Sequence, residues 1–239
     1  MADSSDSLLS VSGLTVSYGK VTALNGVDID VQTGETIGVI GPNGAGKSTL
    51  VDAISGFLDY EGSITYRGQE IAGSSTQTLV EDGLFYCTER RDLFGQMSVE
   101  QNLRLGSYLN NGGEDERLAE VFALFPRLEE RRSQEAESLS GGEQQMLSLG
   151  RGLMSDPDFL ILDEPSIGLA PVVLEDISEA LTAITELDVT VLLCEQNITF
   201  ALEHADRLYL LENGAVRRSG ATESLQSDEF VESYIGGKL

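Results

Sequence analysis

The stretch ETIGVIGPNGAGKSTL, residues 35–50, decides how the rest of the chain is read. The apolar run ETIGVIG reads as a buried strand, and it enters a glycine-rich loop followed by the helical segment KSTLVDAISGF, residues 47–57. Residues 41–49 fit the spacing Gly, four residues, Gly-Lys-Ser. In that pattern successive backbone N–H groups form a nest for phosphate oxygens, and the following helix adds the positive end of its dipole. Gly41, Pro42, Asn43, Gly44, Ala45, Gly46, Lys47, Ser48 and Thr49 are therefore the expected nucleotide contacts. Lys47 is the compact cation for the β- and γ-phosphates, and Ser48 offers a hydroxyl to Mg²⁺.

Outward from that loop, secondary-structure signals alternate. LLSVSGLTVSYG and VTALNGVDIDV read as antiparallel strands, and GSITYRGQEI as a hairpin. A short helix precedes the strand LFYC, residues 84–87. From Ser98 to about Pro157 the periodicity is helical, in SVEQNLRLGSYL and EDERLAEVFALF. Core-type segments then resume: FLIL as a strand, residues 171–187 as a helix with proline at its start, and VTVLLC as a strand. Strands alternating with helices predict an α/β fold with a mainly parallel sheet covered on both faces. The helical stretch reads as an insertion into one domain spanning 1–239. Residues 1–95 and 158–239 form the β and core parts, and about 96–157 the helical part.

The strand FLIL delivers Asp163 and Glu164 to its carboxyl end, where ligands bind in open α/β sheets. Asp163 is the expected Mg²⁺ holder and Glu164 the base that accepts the proton of attacking water. Two carboxylates ending a strand would otherwise be solvated loop residues. In LSGGEQQMLSLGRGLM, residues 139–154, Ser140 followed by Glu143 is a capping box that opens a helix at Gly141. Gly141 and Gly142 are expected to leave the first N–H groups uncovered by side chains, as an anion site.

Composition sets outer limits. The 239 residues are 41% hydrophobic, enough for a sizeable core, and no apolar run reaches the roughly 18 residues needed to cross a bilayer. The acidic, polar start is unlike a secretory signal, so a soluble, cytoplasmic chain is expected. Forty acidic residues against 15 basic ones give a net charge of −25. Lysine occurs only as Lys20, Lys47 and Lys238, a balance resembling proteins of salt-accumulating halophiles. Such a surface argues against nucleic acid, which needs clustered Lys and Arg. Cys87 and Cys194 end apolar runs and read as small buried hydrophobes, with neither metal nor disulfide spacing.

GPNGAGKST, LSGGEQQ and LILDEPSIGLAP, in this order, resemble the ATP-binding subunit of an ABC transporter, and the resemblance runs over essentially the whole chain. It implies a P-loop NTPase fold of the ABC nucleotide-binding type: a RecA-like core, an N-terminal antiparallel β subdomain and a helical signature subdomain. It also implies ATP and Mg²⁺ as ligands and head-to-tail dimers, with Ser140, Gly141 and Gly142 facing the partner's nucleotide. Tyr18, in VSYGK, falls where the family stacks an aromatic ring on adenine, although a tyrosine closing a hairpin is the plainer alternative.

The chain departs from the general family pattern in two places. Glu89, in CTERRDLF, stands at the glutamine-loop position, among the expected nucleotide and Mg²⁺ contacts, and Gln196 stands where most members carry a switch histidine. Those departures, with DEPSIGLAP and the terminal SYIGG, resemble the LivF-type subunit of branched-chain amino acid importers. CTERRDLF itself differs from that branch's usual proline- and glycine-containing form. A glutamine cannot exchange protons near neutrality as histidine does, but its amide can donate to a γ-phosphate and accept from water. Gln196 is thus expected to position and Glu164 to act as base, a solvated strand-end residue being the alternative for Gln196.

The resemblance further implies two transmembrane permeases, a second related ATPase subunit, an external solute-binding protein, and a peripheral place on the cytoplasmic face of the cell membrane. Importers of urea, amides or other small polar solutes, and a soluble ABC-type assembly ATPase, are the competing expectations. A DNA-repair or ribosome-associated ATPase lacks the long insert or basic face it would need.

Overall fold

The computed structural model describes residues 7–110 and 112–226. The terminal SYIGG and Lys238 lie outside the described residues.

The N-terminal strands β1 (Ser7–Tyr18) and β2 (Val21–Gln32) form a long antiparallel hairpin. β1 also pairs with β4 (Glu61–Tyr66), and β5 (Gln69–Glu70) completes a four-stranded sheet ordered β2-β1-β4-β5. Between these, β3 (Thr36–Ile40) leaves for a second sheet and α1 (Lys47–Ile54) follows it. α2 (Thr76–Glu81) leads into β6 (Leu84–Cys87). The helical stretch holds α3 (Val99–Gly106), α4 (Glu114–Leu124), α5 (Pro126–Glu130) and α6 (Gly141–Leu153). The chain then runs through β7 (Phe159–Asp163), α7 (Pro171–Thr185), β8 (Thr190–Glu195), α8 (Ile198–His204), β9 (Arg207–Glu212), β10 (Ala215–Ala221) and α9 (Thr222–Gln226).

The second sheet has six strands in the order β10-β9-β3-β8-β7-β6, all parallel except β10. Every residue of β3, β7 and β8 is buried, as expected of parallel strands covered on both faces. Alternate side chains serve different cores. Phe159, Ile161, Leu192 and Cys194 join Leu50 of α1 and Leu14 and Ile29 of the antiparallel sheet in one cluster. Leu160, Leu162, Val191 and Leu193 point the other way, toward Leu103, Phe122, Leu147 and Ile177. The helical stretch therefore shares a core with the sheet. Both cysteines are buried and free. One expectation needs correcting: the strand read as ending at Cys194 continues through Glu195, whose side chain is fully buried.

Register places the site. Ile40 pairs with Glu195, Asp163 with Cys194, and Cys87 with Leu162. The residues that follow β3, β8, β7 and β6 thus emerge along one edge.

The helical stretch is held by close packing of α3 on α6. A Cβ built on Gly106 would lie 2.1 Å from the Arg151 carbonyl oxygen and 2.9 Å from Met154 Cβ. Gly106→Ala must push two helix backbones apart, which costs about 2 kcal/mol and about 4–8 °C of thermal midpoint. Gly220→Ala, where the nearest atom is 3.8 Å away, should melt within about 2 °C of wild type. Thermal unfolding of the two variants checks the pair.

Candidate nucleotide site

Between β3 and α1 the chain turns sharply through Gly46, at φ 111°. A Cβ there would meet Leu24 Cδ2 at 2.7 Å and the Ala23 carbonyl oxygen at 3.0 Å, so glycine is required by both conformation and space. No side chain caps α1 and its first turn carries no acidic residue, so its N–H groups face the loop. Lys47 folds back beneath the loop, almost wholly buried. Its ammonium donates to the carbonyls of Gly41 (2.8 Å) and Pro42 (3.3 Å) and pairs with Glu164 Oε1 at 2.9 Å.

Glu164 sits just past β7 with φ 53°, a left-handed conformation uncommon for a glutamate. Its N–H donates to the Cys194 carbonyl at 2.9 Å, and its Oε2 accepts the Gln196 backbone N–H at 3.1 Å. Asp163 accepts from the Tyr86 hydroxyl at Oδ2 (3.2 Å), while Oδ1 is buried with no partner among the described residues. Burial pushes the Asp163 carboxyl up to about 6. Hydrogen bonds from Ser48 and Tyr86 oppose that shift, and the charges of Glu164 and Glu89 add to it.

A cavity of about 320 Å³ opens over this edge, lined by Ala23, Asn43, Gly44, Gly46, Lys47, Ser48, Thr49, Glu89, Glu164 and Ile167. Six of the nine phosphate-loop residues thus share one space with Glu89 and Glu164, while Asp163 lies outside the lining. Gly41, Pro42 and Ala45 shape the loop from below, Gly41 and Pro42 through the carbonyls that hold Lys47 and Ala45 through its carbonyl, which accepts Gly214 N–H at 2.9 Å. Tyr18 is half-exposed beside Val21 at the β1–β2 turn and Gln196 exposes its side chain, but neither lines the cavity.

Ser140, Gly141 and Gly142 also stand outside that lining. The capping box is present: Glu143 N–H donates to Ser140 Oγ at 3.3 Å, and Ser140 N–H to Glu143 Oε2 at 2.9 Å. Gly141 is exposed. Gly142 differs from its expected open setting. It is buried against α7, where a Cβ would lie 2.3 Å from Val173 Cγ1, so close helix packing already requires glycine.

Two residues at the site were not singled out from sequence. Tyr86 is 77 residues from its partner Asp163. Glu195 accepts from Ser166 N–H (2.9 Å), Ser166 Oγ (2.7 Å) and Asn197 N–H (3.3 Å), and burial pushes its carboxyl up to about 7. A carboxylate closing the apolar run VLLC was the available signal.

The electrostatics make a direct prediction. A carboxyl whose folded pKa lies above its unfolded value stabilises the protein at low pH, and that contribution is lost as pH rises through the folded value. For Asp163 the window runs from 3.8 to about 6. At pH 7.5, Asp163→Asn should therefore raise the thermal midpoint of the nucleotide-free protein, by about 1–3 kcal/mol of stability. At pH 4.5, inside that window, the gain should fall to about a third of its pH 7.5 value, and melts at the two pH values check the sign.

Comparison with known proteins agrees with this architecture. Residues 24–167 match the family model described as ABC transporter. The chain is 41% identical over 233 residues to the high-affinity branched-chain amino acid transport ATP-binding protein BraG of Pseudomonas aeruginosa, covering 96% of this chain and 100% of that one. It is 34% identical over 227 residues to the probable branched-chain amino acid transport ATP-binding protein LivF of Archaeoglobus fulgidus, covering 93% and 96%. A solved ATP-binding cassette of an ABC transporter, in its ADP conformation, superposes with a TM-score of 0.82 at 28% identity over 96% of this chain and 99% of that one. With the phosphate loop, the paired carboxylates and the capped signature helix on one scaffold, the chain belongs to the ABC transporter family as one of its ATP-binding, ATP-hydrolysing subunits.

Proposed function

We propose that this chain hydrolyses ATP to drive a membrane importer of branched-chain amino acids, with Glu164 as general base and Gln196 as the residue that orients water. The observation that carries the catalytic reading is the Lys47–Glu164 pair inside the phosphate cradle. ATP phosphates on the loop N–H groups compete with Glu164 for the Lys47 ammonium. A carboxylate relieved of that cation is a better proton acceptor. Its second oxygen stays anchored by Gln196 N–H, so the freed base keeps its place. The Gln196 side chain, exposed at the same strand end, donates to the γ-phosphate and accepts from the attacking water.

The donor set suits a hard cation. Ser48 supplies a hydroxyl, Asp163 a buried oxygen without a partner, and Glu89 a carboxylate at the cavity wall. Among the described residues no cluster of three or more His, Cys, Asp or Glu could cage an ion alone. That favours Mg²⁺, which usually takes one or two carboxylates and shares its remaining positions with phosphates and water. Bound there, it supplies positive charge to the β- and γ-phosphate oxygens.

Ser140 and Gly141 are exposed and stand outside their own chain's cavity, and the start of this helix, with the Gly142 backbone, faces the nucleotide of a second ATPase subunit. Tyr18 supplies a ring for adenine. The solute and the membrane partners follow from the BraG and LivF names of the relatives. No described helix is long and apolar enough to cross a membrane. In the reading taken from those relatives, two permease subunits provide the path and this chain binds at their cytoplasmic face.

Glu164→Gln should lower the phosphate-release rate by about 10²- to 10⁴-fold while ATP still binds. Turnover within about threefold of wild type would remove Glu164 from the role. Gln196→Ala should cost about tenfold, the loss of one hydrogen bond, and an unchanged rate would make it a solvated strand end. Affinity capture of the chain from native membranes at high salt should recover two permeases and a second ATPase. Soluble partners alone would refute the transport reading.

A further inference from the structure

Glu195 is fully buried, lies outside the cavity lining, and has no basic side chain among its hydrogen-bond partners. Burying a carboxylate is costly unless its oxygens are satisfied, and here they are satisfied by Ser166 across the edge and Asn197 on the same strand end. Oε1 accepts Ser166 N–H, and Oε2 accepts Ser166 Oγ and Asn197 N–H. Ser166 lies two residues beyond Glu164, in a turn closed by Ile167 N–H on the Glu164 carbonyl at 3.1 Å.

Three consecutive residues of one strand end therefore grip one short segment. The Cys194 carbonyl accepts the Glu164 backbone N–H, the Glu195 carboxylate holds the turn after Glu164, and Gln196 N–H holds the Glu164 carboxylate. The first and third of these bonds hold the Glu164 N–H and carboxylate but not its outgoing backbone. Ile167 N–H closes the turn on the Glu164 carbonyl, and among the described residues the Glu195 bonds tie that turn to the strand end, with Glu164 kept at φ 53°, where a glutamate is not at rest.

We propose that Glu195 is a positioning residue for hydrolysis, clamping the Ser166 turn to the strand end that carries Gln196, so that the base and the orienting glutamine stay in fixed relation. The inference rests on the roles given above to Glu164 and Gln196. A simple turn staple would also use such bonds, but its loss would weaken the whole edge, including ATP binding. Loss of a positioning residue leaves the cradle intact, since loop residues 41–49 make no hydrogen bond to the Glu195 side chain. Misplacing a base by a fraction of an ångström lowers turnover without touching the phosphates.

The test measures steady-state ATP hydrolysis and MgATP binding by the full-length chain carrying Glu195→Gln, Glu195→Ala or Ser166→Ala, with Glu164→Gln alongside. A glutamine cannot accept all three donors, because its NH₂ must face at least one of them. Glu195→Gln should therefore lower kcat about tenfold and Glu195→Ala further still, with KM and MgATP affinity within about twofold of wild type. Glu195→Ala combined with Ser166→Ala should be no slower than Glu195→Ala alone, because both remove the same contact. Wild-type kcat in both Glu195 variants, or kcat and MgATP affinity falling together, overturns the proposal. Where the Glu195 variants do not fold, Ser166→Ala reads the contact from its other side: a severalfold lower kcat at unchanged KM supports the clamp, and a wild-type kcat overturns it. An inactive Glu164→Gln beside active Glu195 variants defeats only this inference, whereas an active Glu164→Gln defeats the catalytic reading beneath it.

Discussion

The register of three parallel strands governs this molecule's chemistry. Ile40 stands opposite Glu195 and Asp163 opposite Cys194, so the phosphate loop, the paired carboxylates and the Glu195–Asn197 segment leave the sheet side by side. A slip of one residue would turn each strand's side chains to the opposite face, exchanging the two cores and carrying Asp163 away from Ser48 and Tyr86. The fully buried, mainly apolar bodies of β3, β7 and β8 resist that slip, since both faces are committed to packed clusters. The site is therefore a consequence of the core: wherever the hydrophobic strands stop, the polar residues are in place.

What gathers there is electrostatically unbalanced. Asp163, Glu164 and Glu195 are buried at the ends of two adjacent strands, and Lys47 is the buried cation among them. Lys47 is shared between one carboxylate and two loop carbonyls, which leaves Asp163 and Glu195 to rely on hydrogen-bond donors. Glu195 has three donors, whereas Asp163 keeps one oxygen without any. Burial pushes both carboxyls toward neutrality, so the edge is costly to hold fully ionised in the isolated chain. The two acids answer that cost differently. Glu195 is satisfied within the protein and so belongs to the framework. Asp163 is not, and its open oxygen belongs to the chemistry.

Legibility from sequence followed the distance over which each feature is encoded. The phosphate loop, the Ser140–Glu143 capping box and the strand carrying Asp163 are local: each is specified by neighbours along the chain, and each stands where the pattern placed it. The contacts that escaped reading are tertiary. Tyr86 reaches Asp163 across 77 positions and Glu195 reaches Ser166 across 29, and no spacing rule joins those pairs. Gly142 was read locally, as an uncovered helix turn, when Val173 on α7 already excludes a side chain there. Glu195 was passed over because an apolar run ending in polar residues reads as a strand leaving its core, whereas this strand takes its first carboxylate into the core with it.

The choice of cation in the cradle follows from the same geometry. Among the described residues the ion pairs elsewhere use arginine, as in Arg104 with Glu100, Glu114 and Asp115, Arg132 with Glu100, and Arg207 with Asp30 and Glu35. A planar guanidinium suits those surface carboxylates, which it can engage at two points. Beneath the phosphate loop the demand is different. The cation must fit under two carbonyls about 3 Å away, hold Glu164 in one state, and meet a phosphate in another. An ammonium on a flexible stem presents three rotatable donors from a single small point and can exchange partners without repacking the loop. A guanidinium would impose its wider planar fork on the buried space between the Gly41 and Pro42 carbonyls and Glu164. In a sequence that uses lysine three times in 239 residues, Lys47 occupies the position where arginine's geometry fails.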